Sequence, residues 1–539
     1  MNKKIIFVAD FFANNVLGGG ELNNKELIEI LQENDFSVQR VYSHELDQDF
    51  IRENVDNFFI ISNFVGMQYD CRELIAKEVN YIIYEHDHKY VTSRNPGHFE
   101  NFKAPSSEIR NYFFYKNARQ IICQSSFHKE IVEKNLEVDN VISVGGNLWS
   151  MDTLNRLRSL SQEEKSSKCS IMNSRIPHKN THKAQEYCKE RGLKYELISA
   201  PDHDQFLEKL GRNKTLIFFP GTPETLSRVV VEARMMGMSV ITNSLVGATN
   251  EEWFKLKGAP LIDYMIGKRK EIYSIVKDLI FKDFEKPKKP LVSIITTFHE
   301  GEEYLNNFMD SITKQTIFDD CELIIVDANS KGTEEETIKK YSKKYHNIVY
   351  VRLDEKLAVT PSLNLAIQRS RSEFITFAFL DDVKAENCVE KLYNSIVEDL
   401  EVDLVYGDVY QTSVPNETFN ESFDYELFDH SQFKFSKENM VKCLPGPMPL
   451  WRKFMHERNG FLDTTISVPC DWDMWLRAVA SGSRFKKIND IVGLYLVGGR
   501  SQQNKIKVCE EEAEIFFKYS HVFGSNYNKY EPYFKQFVN

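Results

Sequence analysis

The sequence contains few cysteines for its length, and none of them belongs to a Cys-x-x-Cys pair. Nine cysteines are scattered among 539 residues, and their number is odd. This distribution argues against a disulfide framework and shows no pattern of zinc ligands. A reducing compartment fits it best, so we expect a cytoplasmic protein.

Long hydrophobic runs are also missing. Nowhere do about 18 uncharged apolar residues follow one another, which is the length that a membrane-spanning helix needs. The first residues, MNKKIIFVADFF, hold only a short apolar run that includes Asp10, and no small-residue cleavage site follows. We therefore interpret the N-terminus as a β-strand and not as a signal peptide. Any membrane contact is expected to be peripheral, at the inner face.

The sequence also lacks an excess of positive charge. The formal net charge of -11 argues against a nucleic-acid partner, because a phosphate backbone requires clustered Lys and Arg. With 42% hydrophobic and 27% charged residues, the chain has ordinary globular composition and not that of a disordered protein. Its length predicts two or three domains.

Short apolar runs alternate with longer stretches of helical period, which predicts an α/β protein with parallel sheets covered by helices. The segment 281–290 interrupts this pattern with two prolines and a run of charges. We place the main domain boundary there. A second boundary near residue 150 divides the first part into lobes 1–150 and 151–285. The remaining domains are 290–505 and a C-terminal aromatic extension, 506–539.

The C-terminal half has acidic residues where predicted strands end. The run from Val292 leads through a helical stretch to a second strand that ends in Asp327, and a third strand is followed by Asp381 and Asp382. Ligands of open α/β sheets bind outside the carboxyl ends of the strands. Adjacent carboxylates there suit Mg²⁺ or Mn²⁺ bridging a diphosphate, since these ions prefer hard oxygen ligands.

These motifs resemble glycosyltransferase family 2, of the GT-A fold, over residues 290–505. The motifs that follow the family's order are Val292-Ser-Ile-Ile, Gln315-Thr316, Ile325-Val326-Asp327, Ser362-Leu-Asn-Leu-Ala-Ile367, Asp381-Asp382 and Cys470-Asp-Trp-Asp-Met-Trp-Leu-Arg477. The resemblance implies a metal-dependent transferase that takes a sugar from a nucleotide donor and inverts the anomeric centre.

The resemblance also implies roles for individual residues. Thr297 and Asp327 would hold the base and ribose of the nucleotide. Asp381 and Asp382 would hold the ribose and the metal-bound diphosphate, while Asp471 would be the catalytic base.

Three positions depart from the commonest family pattern. Ala328 stands where a second Asp often follows, Phe379 replaces the first acid of the fuller acidic motif, and Cys470 precedes the base where Glu is usual. Two tryptophans near the base, Trp472 and Trp475, are expected to pack in the core, with sugar stacking as the alternative.

The N-terminal half contains a second set of motifs. Glu224 and Glu232 have seven residues between them, and the stretch around them predicts a loop, a helix and a glycine stop at Gly237. A helix N-terminus there can receive phosphate, because its free N–H groups and dipole favour an anion.

The paired glutamates resemble those of retaining GT-B glycosyltransferases such as family 4, and the resemblance covers residues 1–285. It implies that Arg175 and Lys179 bind phosphates, Glu224 reaches the donor sugar and Glu232 binds ribose. The glycine-rich loop around Gly19 would lie near the sugar.

Several alternatives stay open in this half. Ser227 stands where a glycine is usual, and Lys183 competes with Lys179 for the phosphate role. The Glu85-His-Asp-His88 cluster either supplies an acceptor-side histidine or is a surface loop. The basic residues 268–270, 282, 286, 288 and 289, with the aromatic tail, either rest on an anionic membrane or form a solvated linker and a packed extension.

Together the motifs predict a bifunctional enzyme of surface-polysaccharide synthesis, with a GT-B module followed by a GT-A module. Its partners would be nucleotide sugars and a glycan or lipid-linked oligosaccharide acceptor. The first alternative is a single-activity transferase whose N-terminal module only binds. The others are a noncatalytic glycan-binding scaffold and, ranked last, a sugar-phosphate nucleotidyltransferase.

Overall fold

The computed structural model describes residues 3–16, 18–105, 108–282, 289–419, 425–430, 433–498 and 505–538. The chain divides into two compact units, Met1–Glu285 and Lys286–Asn539. Residues 283–288 of the charged linker, including Lys286 and Lys288 of the basic segment, lie outside the described residues.

The N-terminal unit contains a parallel sheet in each of two lobes. The first sheet has the order β2-β1-β3-β4-β5-β6 and the second has the order β10-β9-β7-β8. The strands are β1 (Lys4–Ala9), β2 (Ser37–Tyr42), β3 (Phe58–Ile61), β4 (Asn80–Tyr84), β5 (Ile121–Cys123), β6 (Val141–Ser143), β7 (Ser166–Met172), β8 (Tyr195–Ile198), β9 (Asn213–Phe218) and β10 (Ser239–Thr242).

Helices connect these strands. They are α1 (Gly19–Glu33), α2 (Gln48–Glu53), α3 (Tyr69–Glu78), α4 (Tyr112–Asn117), α5 (Ser126–Leu136), α6 (Met151–Ser161), α7 (Thr181–Glu190), α8 (His203–Gly211), α9 (Arg228–Met235) and α10 (Ala259–Phe281). Polar residues start several of them: Ser125 accepts a hydrogen bond from His128 N at 3.1 Å, and Asp202 accepts one from Gln205 N at 2.8 Å.

Helix α10 joins the two lobes of this unit. Its first part places Leu261 and Met265 in the core of the second lobe, and its last part places Val276 and Ile280 in the core of the first. Two of its basic residues are engaged inside the unit. Lys268 Nζ donates to Val144 O at 2.9 Å, and Arg269 pairs with Glu26 at 2.9 Å.

The C-terminal unit is built on a mixed sheet of order β13-β12-β11-β14-β18-β16-β19-β15, with β17 paired to β16. Strands β13, β12, β11 and β14 are parallel. The strands are β11 (Val292–Phe298), β12 (Glu322–Asp327), β13 (Ile348–Arg352), β14 (Phe374–Phe377), β15 (Val383–Lys384), β16 (Leu404–Thr412), β17 (Glu426–Leu427), β18 (Leu450–Arg452) and β19 (Phe485–Leu496).

The helices of this unit are α11 (Glu302–Thr313), α12 (Glu334–Ser342), α13 (Val359–Arg369), α14 (Cys388–Val397), α15 (Met455–Asn459), α16 (Cys470–Ala480), α17 (Lys505–Lys518) and α18 (Asn526–Phe534). The aromatic extension is packed, since Phe516, Phe523 and Phe534 are buried. Among the described helices, none is both long and apolar enough to cross a membrane.

The structure confirms the predicted α/β class with parallel sheets. β11 has no exposed residue, as expected of a strand that is covered on both faces. Its parallel neighbours β12 and β14 bring three strand ends to one edge of the sheet. Asp327 is the last residue of β12, and Asp381 and Asp382 come after β14.

Candidate functional site

The carboxyl edge of the parallel strands gathers the predicted nucleotide residues of the C-terminal unit. In the register of β11 with β12, Phe298 lies opposite Asp327, and in the register of β11 with β14, Ile295 lies opposite Phe377. Thr297, Asp327 and the loop after Phe377 therefore share this edge.

Asp327 is fully buried at the end of β12, and both of its oxygens are hydrogen-bonded. Oδ1 accepts from Ser330 N at 2.8 Å, and Oδ2 accepts from the Tyr350 hydroxyl at 2.7 Å. Burial and the Asp327 carboxylate raise the pKa of Tyr350, which keeps its proton and remains a donor. These contacts fix the orientation of the Asp327 carboxylate.

A second polar group at this edge is His299, which directly follows β11. Its Nδ1 atom is buried without a hydrogen-bond partner among the described residues, and its Nε2 atom lies 3.8 Å from the Glu300 carboxylate. A buried polar atom without a partner is costly, and a bound ligand is one way to satisfy it. In the sequence, the only sign that His299 belongs to the site is its position directly after a predicted strand.

The adjacent aspartates follow β14. Asp382 is 8% exposed, and its Oδ1 accepts from Leu496 N at 3.3 Å. Burial, together with the charge of half-buried Asp381, raises the pKa of Asp382 well above its usual range. Lys384 is buried nearby, and its Nζ donates to Thr376 Oγ1 at 3.3 Å.

This donor set fits a divalent cation that takes part of its coordination from a substrate. Two neighbouring carboxylates, one of them buried, carry negative charge that a cation would offset. Within the described residues, no group of three or more His, Cys, Asp or Glu side chains could hold a metal ion. Mg²⁺ is commonly held by one or two carboxylates together with substrate phosphates and water.

Asp471 lies in the first turn of α16, directly after Cys470. Its Oδ1 accepts from Trp472 N at 2.8 Å, and its Oδ2 lies 3.7 Å from the Cys443 thiol, which donates to it. Burial raises the pKa of Asp471 to about 6, although its hydrogen bonds act in the opposite direction. A carboxylate with such a pKa is ionised at neutral pH and still takes up a proton readily.

Glu512 of α17 interacts electrostatically with Asp471, and sequence reasoning did not identify it. Burial and the charge of Asp471 raise the pKa of Glu512 to about 7. In the sequence it belongs to the acidic run Glu510 to Glu512, which is typical of a solvated helix face. Only the packing of α17 distinguishes it from its neighbours.

The two tryptophans of α16 belong to the core, which confirms the packing interpretation. Trp472 is 4% exposed and Trp475 is fully buried. The indole N–H of Trp472 donates to Met440 O at 2.9 Å.

In the N-terminal unit, the structure brings Glu224 and Lys179 together. Lys179 Nζ lies 2.6 Å from Glu224 Oε1, and both side chains are half-buried. The backbone of Glu224 is held by the following loop, because its N–H donates to Leu245 O at 2.7 Å. Arg175, in contrast, is exposed in the loop after β7.

Glu232 is buried on α9 inside a network of donors. Its Oε1 accepts from Trp149 Nε1 at 2.9 Å and lies 3.1 Å from His203 Nε2 and 3.5 Å from Arg228 Nε. Although burial raises the pKa of Glu232, the charges of His203 and Arg228 and the hydrogen bonds lower it overall. Trp149 and His203 come from distant parts of the sequence.

The glycine-rich segment at the start of α1 lies against this network. A Cβ atom added to Gly19 would lie 3.2 Å from Arg228 Cδ, and one added to Gly20 would lie 3.4 Å from His86 Cγ. Burial, with the nearby charge of Lys89, lowers the pKa of His86 to about 3, so its imidazole is neutral. Ser227, at the start of α9, has a φ of 74°, a left-handed conformation that favours glycine.

A cavity of about 250 Å³ lies beside these residues. It is lined by α1 and the start of α8, and Lys25 and His203 face it. The N-terminal unit therefore places Gly19, His86, Arg228 and Glu232 in one region.

Comparison with known proteins finds a family match in the C-terminal unit. Residues 293–460 match the model of glycosyl transferase family 2. The uncharacterized glycosyltransferase MJ1057 of Methanocaldococcus jannaschii is 26% identical over 215 residues, which is 39% of this chain and 72% of that protein. Glycosyltransferase GlyA of Streptococcus pneumoniae is 27% identical over 152 residues, which is 28% of this chain and only 20% of that protein.

A third relative is the putative teichuronic acid biosynthesis glycosyltransferase TuaG of Bacillus subtilis. It is 28% identical over 227 residues, which is 41% of this chain and 86% of that protein. The C-terminal unit thus carries a glycosyl transferase family 2 domain.

Proposed function

We propose that the C-terminal unit is an inverting GT-A glycosyltransferase, which transfers a sugar from a nucleotide donor to a hydroxyl of a glycan or lipid-linked oligosaccharide. The observation that carries the proposal is the burial of Asp382 beside Asp381, at the carboxyl edge of the sheet in the family 2 domain. A nucleoside diphosphate needs such a set of hard oxygen ligands, through a cation, at the ends of strands.

In this proposal Thr297 and Asp327 bind the base and ribose, and Asp381 and Asp382 hold the ribose and the diphosphate through Mg²⁺ or Mn²⁺. The cation would neutralise the charge that grows on the leaving diphosphate. The hydrogen bonds from Ser330 and Tyr350 keep the Asp327 carboxylate in one orientation for this task.

Asp471 then acts as the base. It takes the proton of the acceptor hydroxyl while the acceptor oxygen forms a bond to the anomeric carbon from the face opposite the nucleotide. The bond between that carbon and the diphosphate oxygen breaks, and its electron pair leaves with the diphosphate. Because the pKa of Asp471 is raised to about 6, the carboxylate is ionised and yet basic enough for this step at neutral pH.

We also propose that the N-terminal unit is a second, retaining transferase of the GT-B type, so that the chain adds two sugars. The contact of Lys179 with Glu224 supports this, because it places a cation for phosphate beside the carboxylate expected to reach the sugar. Arg175, Glu232 and Gly19 keep their proposed roles in binding the donor. The alternative is a single-activity enzyme whose N-terminal unit only binds.

The relative TuaG, named for teichuronic acid biosynthesis, supports a role in the synthesis of a cell-surface polysaccharide. We place this work in the cytoplasm or at the inner face of the membrane. The cysteines of the chain are all free, which suits a reducing compartment.

The test is release of nucleoside diphosphate from UDP-, GDP- and dTDP-sugars, with and without Mn²⁺ and candidate acceptor glycans. Asp471→Asn should lower turnover of one donor by about 10²- to 10⁴-fold, as expected for loss of a base. Asp319→Asn, an exposed residue of the same unit, is the control. No turnover with any donor would favour the binding scaffold.

The same assay separates the two activities. Glu224→Gln should abolish turnover of a second donor and leave the first unchanged, with exposed Glu252→Gln as its control. If every donor that is consumed depends on Asp471 alone, the N-terminal unit has no transferase activity of its own.

A further inference from the structure

The cavity of the N-terminal unit has a wall from each of its two lobes. Leu22 and Lys25 of α1 line it from the first lobe, and Asp202, His203 and Asp204 line it from the second lobe, at the start of α8. Its volume is about 250 Å³. Pockets that enclose a whole drug-sized ligand measure about 300–1,000 Å³, so this cavity suits one part of a nucleotide sugar.

His203 connects this cavity to the carboxylate of Glu232. Its Nε2 atom lies 3.1 Å from Glu232 Oε1, and its side chain is 20% exposed. Among the described residues that line the cavity, His203 is included and Glu232 is not. Nδ1, the other ring nitrogen of His203, makes no hydrogen bond to any described residue. The imidazole thus has one nitrogen held by the protein and one left for a ligand.

The carboxylate of Glu232 is already engaged. Trp149 Nε1 donates to its Oε1 at 2.9 Å, and Arg228 Nε lies 3.5 Å from the same oxygen. Because a carboxylate oxygen offers about two lone-pair sites, these donors and His203 saturate Oε1. The whole side chain is only 3% exposed, which also encloses the second oxygen. A ribose hydroxyl that reached this carboxylate directly would have to displace part of the network.

We propose that His203 is the residue through which the second lobe contacts the nucleoside part of a nucleotide-sugar donor, and that Glu232 is its positioning residue. Glu232 holds the imidazole at Nε2, so that Nδ1 is presented to the ligand. Glu232 then acts in donor binding through His203 instead of holding the ribose hydroxyls itself. This inference rests on the proposed binding of a donor by the N-terminal unit.

The charges around His203 favour an imidazole that donates from both nitrogens. Although burial lowers the pKa of His203, the charge of Glu232 and the hydrogen bond to it raise the pKa overall. Arg228 lowers the pKa and Asp204 raises it, both by smaller amounts. A protonated imidazole is a donor at Nδ1 as well as at Nε2. The matching group on a nucleoside is a carbonyl oxygen of the base.

The lining of the cavity favours a nucleoside over a phosphate group. Asp202 and Asp204 bring two carboxylates, which repel a phosphate and accept hydrogen bonds from ribose hydroxyls. Leu22 on the opposite wall offers an apolar contact to the face of a base, and Lys25 offers a donor. The ligand expected here has hydroxyls, a carbonyl acceptor and an apolar face, as a nucleoside has.

The test measures binding of UDP, GDP and dTDP to the full chain by isothermal titration calorimetry. EDTA and an Asp382→Asn background remove the contribution of the proposed metal-dependent site. His203→Gln keeps a donor towards Glu232 and removes Nδ1, so it should weaken binding about ten- to hundredfold, as for a hydrogen bond from a charged group. His182→Gln, at an exposed position, is the matched control and should bind as the background does.

A double-mutant cycle distinguishes positioning from direct contact. If Glu232 acts through His203, Glu232→Gln weakens binding by itself and adds little in the His203→Gln background. Losses that add in the double variant would show that Glu232 contacts the ribose directly, and its positioning role would be wrong. The Tm of each variant shows that the chain is folded at the temperature of the titration.

Leu22→Trp tests the location of the ligand independently of this network. The larger side chain on the α1 wall should fill part of the cavity and weaken binding at least as much as His203→Gln does. Gln32→Trp, exposed near the end of the same helix, should leave binding unchanged. The proposal fails if none of the three nucleotides binds in this background, or if binding is the same in His203→Gln and Leu22→Trp as in the control variants.

The transferase activity proposed for the N-terminal unit is decided separately, by the turnover that depends on Glu224. If this turnover exists and its KM for the donor is equal in the wild type and in His203→Gln, the activity stands and the role of His203 is wrong. If the turnover is absent while nucleotide binding depends on His203, the inference holds and the proposed activity is wrong.

Discussion

The indole N–H of Trp149 donates a hydrogen bond to the carboxylate of Glu232 at 2.9 Å, and both side chains are buried. The guanidinium carbon of Arg228 lies 4.5 Å from the centre of the same indole ring. An ionised carboxylate in such a site depends on its donors, because burial without them disfavours the charge. The partners of Glu232 should therefore contribute measurably to the stability of the N-terminal unit.

Replacement of Trp149 with Phe removes the N–H donor and keeps an aromatic ring. We expect a loss of about 1.5–3 kcal/mol in the free energy of unfolding, as for a hydrogen bond to a charged group. Urea unfolding of the full chain, followed by circular dichroism, measures this. Trp253→Phe is the matched control, since the Trp253 indole donates to a neutral carbonyl, Gly145 O, at 2.8 Å. If Trp149→Phe and Trp253→Phe lose equal free energy of unfolding, the charge of Glu232 does not strengthen the hydrogen bond from Trp149.

His203 and Glu232 should stabilise the fold most strongly in a window of mildly acidic pH. Although burial lowers the pKa of His203, Glu232 raises it overall, and the pKa of Glu232 is in turn lowered. The contribution of Glu232 is complete above its ordinary pKa of 4.5 and is lost on acidification. The contribution of His203 is complete below its ordinary pKa of 6.5 and is lost as pH rises through the higher folded value.

We therefore expect His203→Gln to lower the free energy of unfolding most between about pH 4.5 and 6.5, and least above pH 8. Urea titrations at several pH values test this. His182→Gln, at an exposed position, should show no such window. A loss for His203→Gln that does not change with pH would show that the histidine acts only through packing.

The sequence predicts well those strands that are local apolar runs. Two apolar runs of the sequence, Phe58–Ile61 and Ile5 to Ala9, illustrate this. The first is a strand with the same bounds, and the second is a strand that begins one residue earlier, at Lys4. Buried parallel strands are apolar along their whole length, so each one is visible without knowledge of its neighbours.

The surroundings of the candidate sites could not be predicted in this way. Glu232 was identified from its spacing to Glu224, but its donor Trp149 is 83 residues away. Glu512 lies in an acidic run that is typical of solvent exposure, whereas the hydrogen bonds of Glu511 to Ser467 and Val468 show that α17 is packed there. Side-chain partners that come from distant elements are set by tertiary packing, which a single sequence does not display.

Metal binding at Asp382 can be tested without a known substrate. Its pKa is raised by burial and by Asp381, so its folded state binds a proton more tightly and loses stability as pH rises. In metal-free protein at pH 8, Asp382→Asn should therefore have a higher Tm than the wild type. Addition of Mn²⁺ should raise the Tm of the wild type and change that of the variant much less.

The control for this comparison is Asp319→Asn, which is exposed in the same unit and should respond to Mn²⁺ as the wild type does. Calorimetry on the full chain, with EDTA or with Mn²⁺, supplies the values. If Mn²⁺ shifts Tm equally in the wild type and in Asp382→Asn, the metal binds elsewhere.

Lys518 and Tyr519, at the end of α17, attach the C-terminal helices to α16 through Asp473. Tyr519→Phe removes the hydroxyl that donates to Asp473 at 3.0 Å, while Lys518 and Arg477 still pair with that carboxylate. We expect a loss of about 1.5–3 kcal/mol in the free energy of unfolding, because the hydrogen bond is made to a buried charge. Tyr530→Phe, half-buried on α18, is the control and should lose less.

If α17 serves to hold the turn that carries Asp471, Tyr519→Phe should also lower turnover of the donor that depends on Asp471. Unchanged turnover at a temperature well below Tm would show that the anchor at Asp473 stabilises the unit without positioning the base.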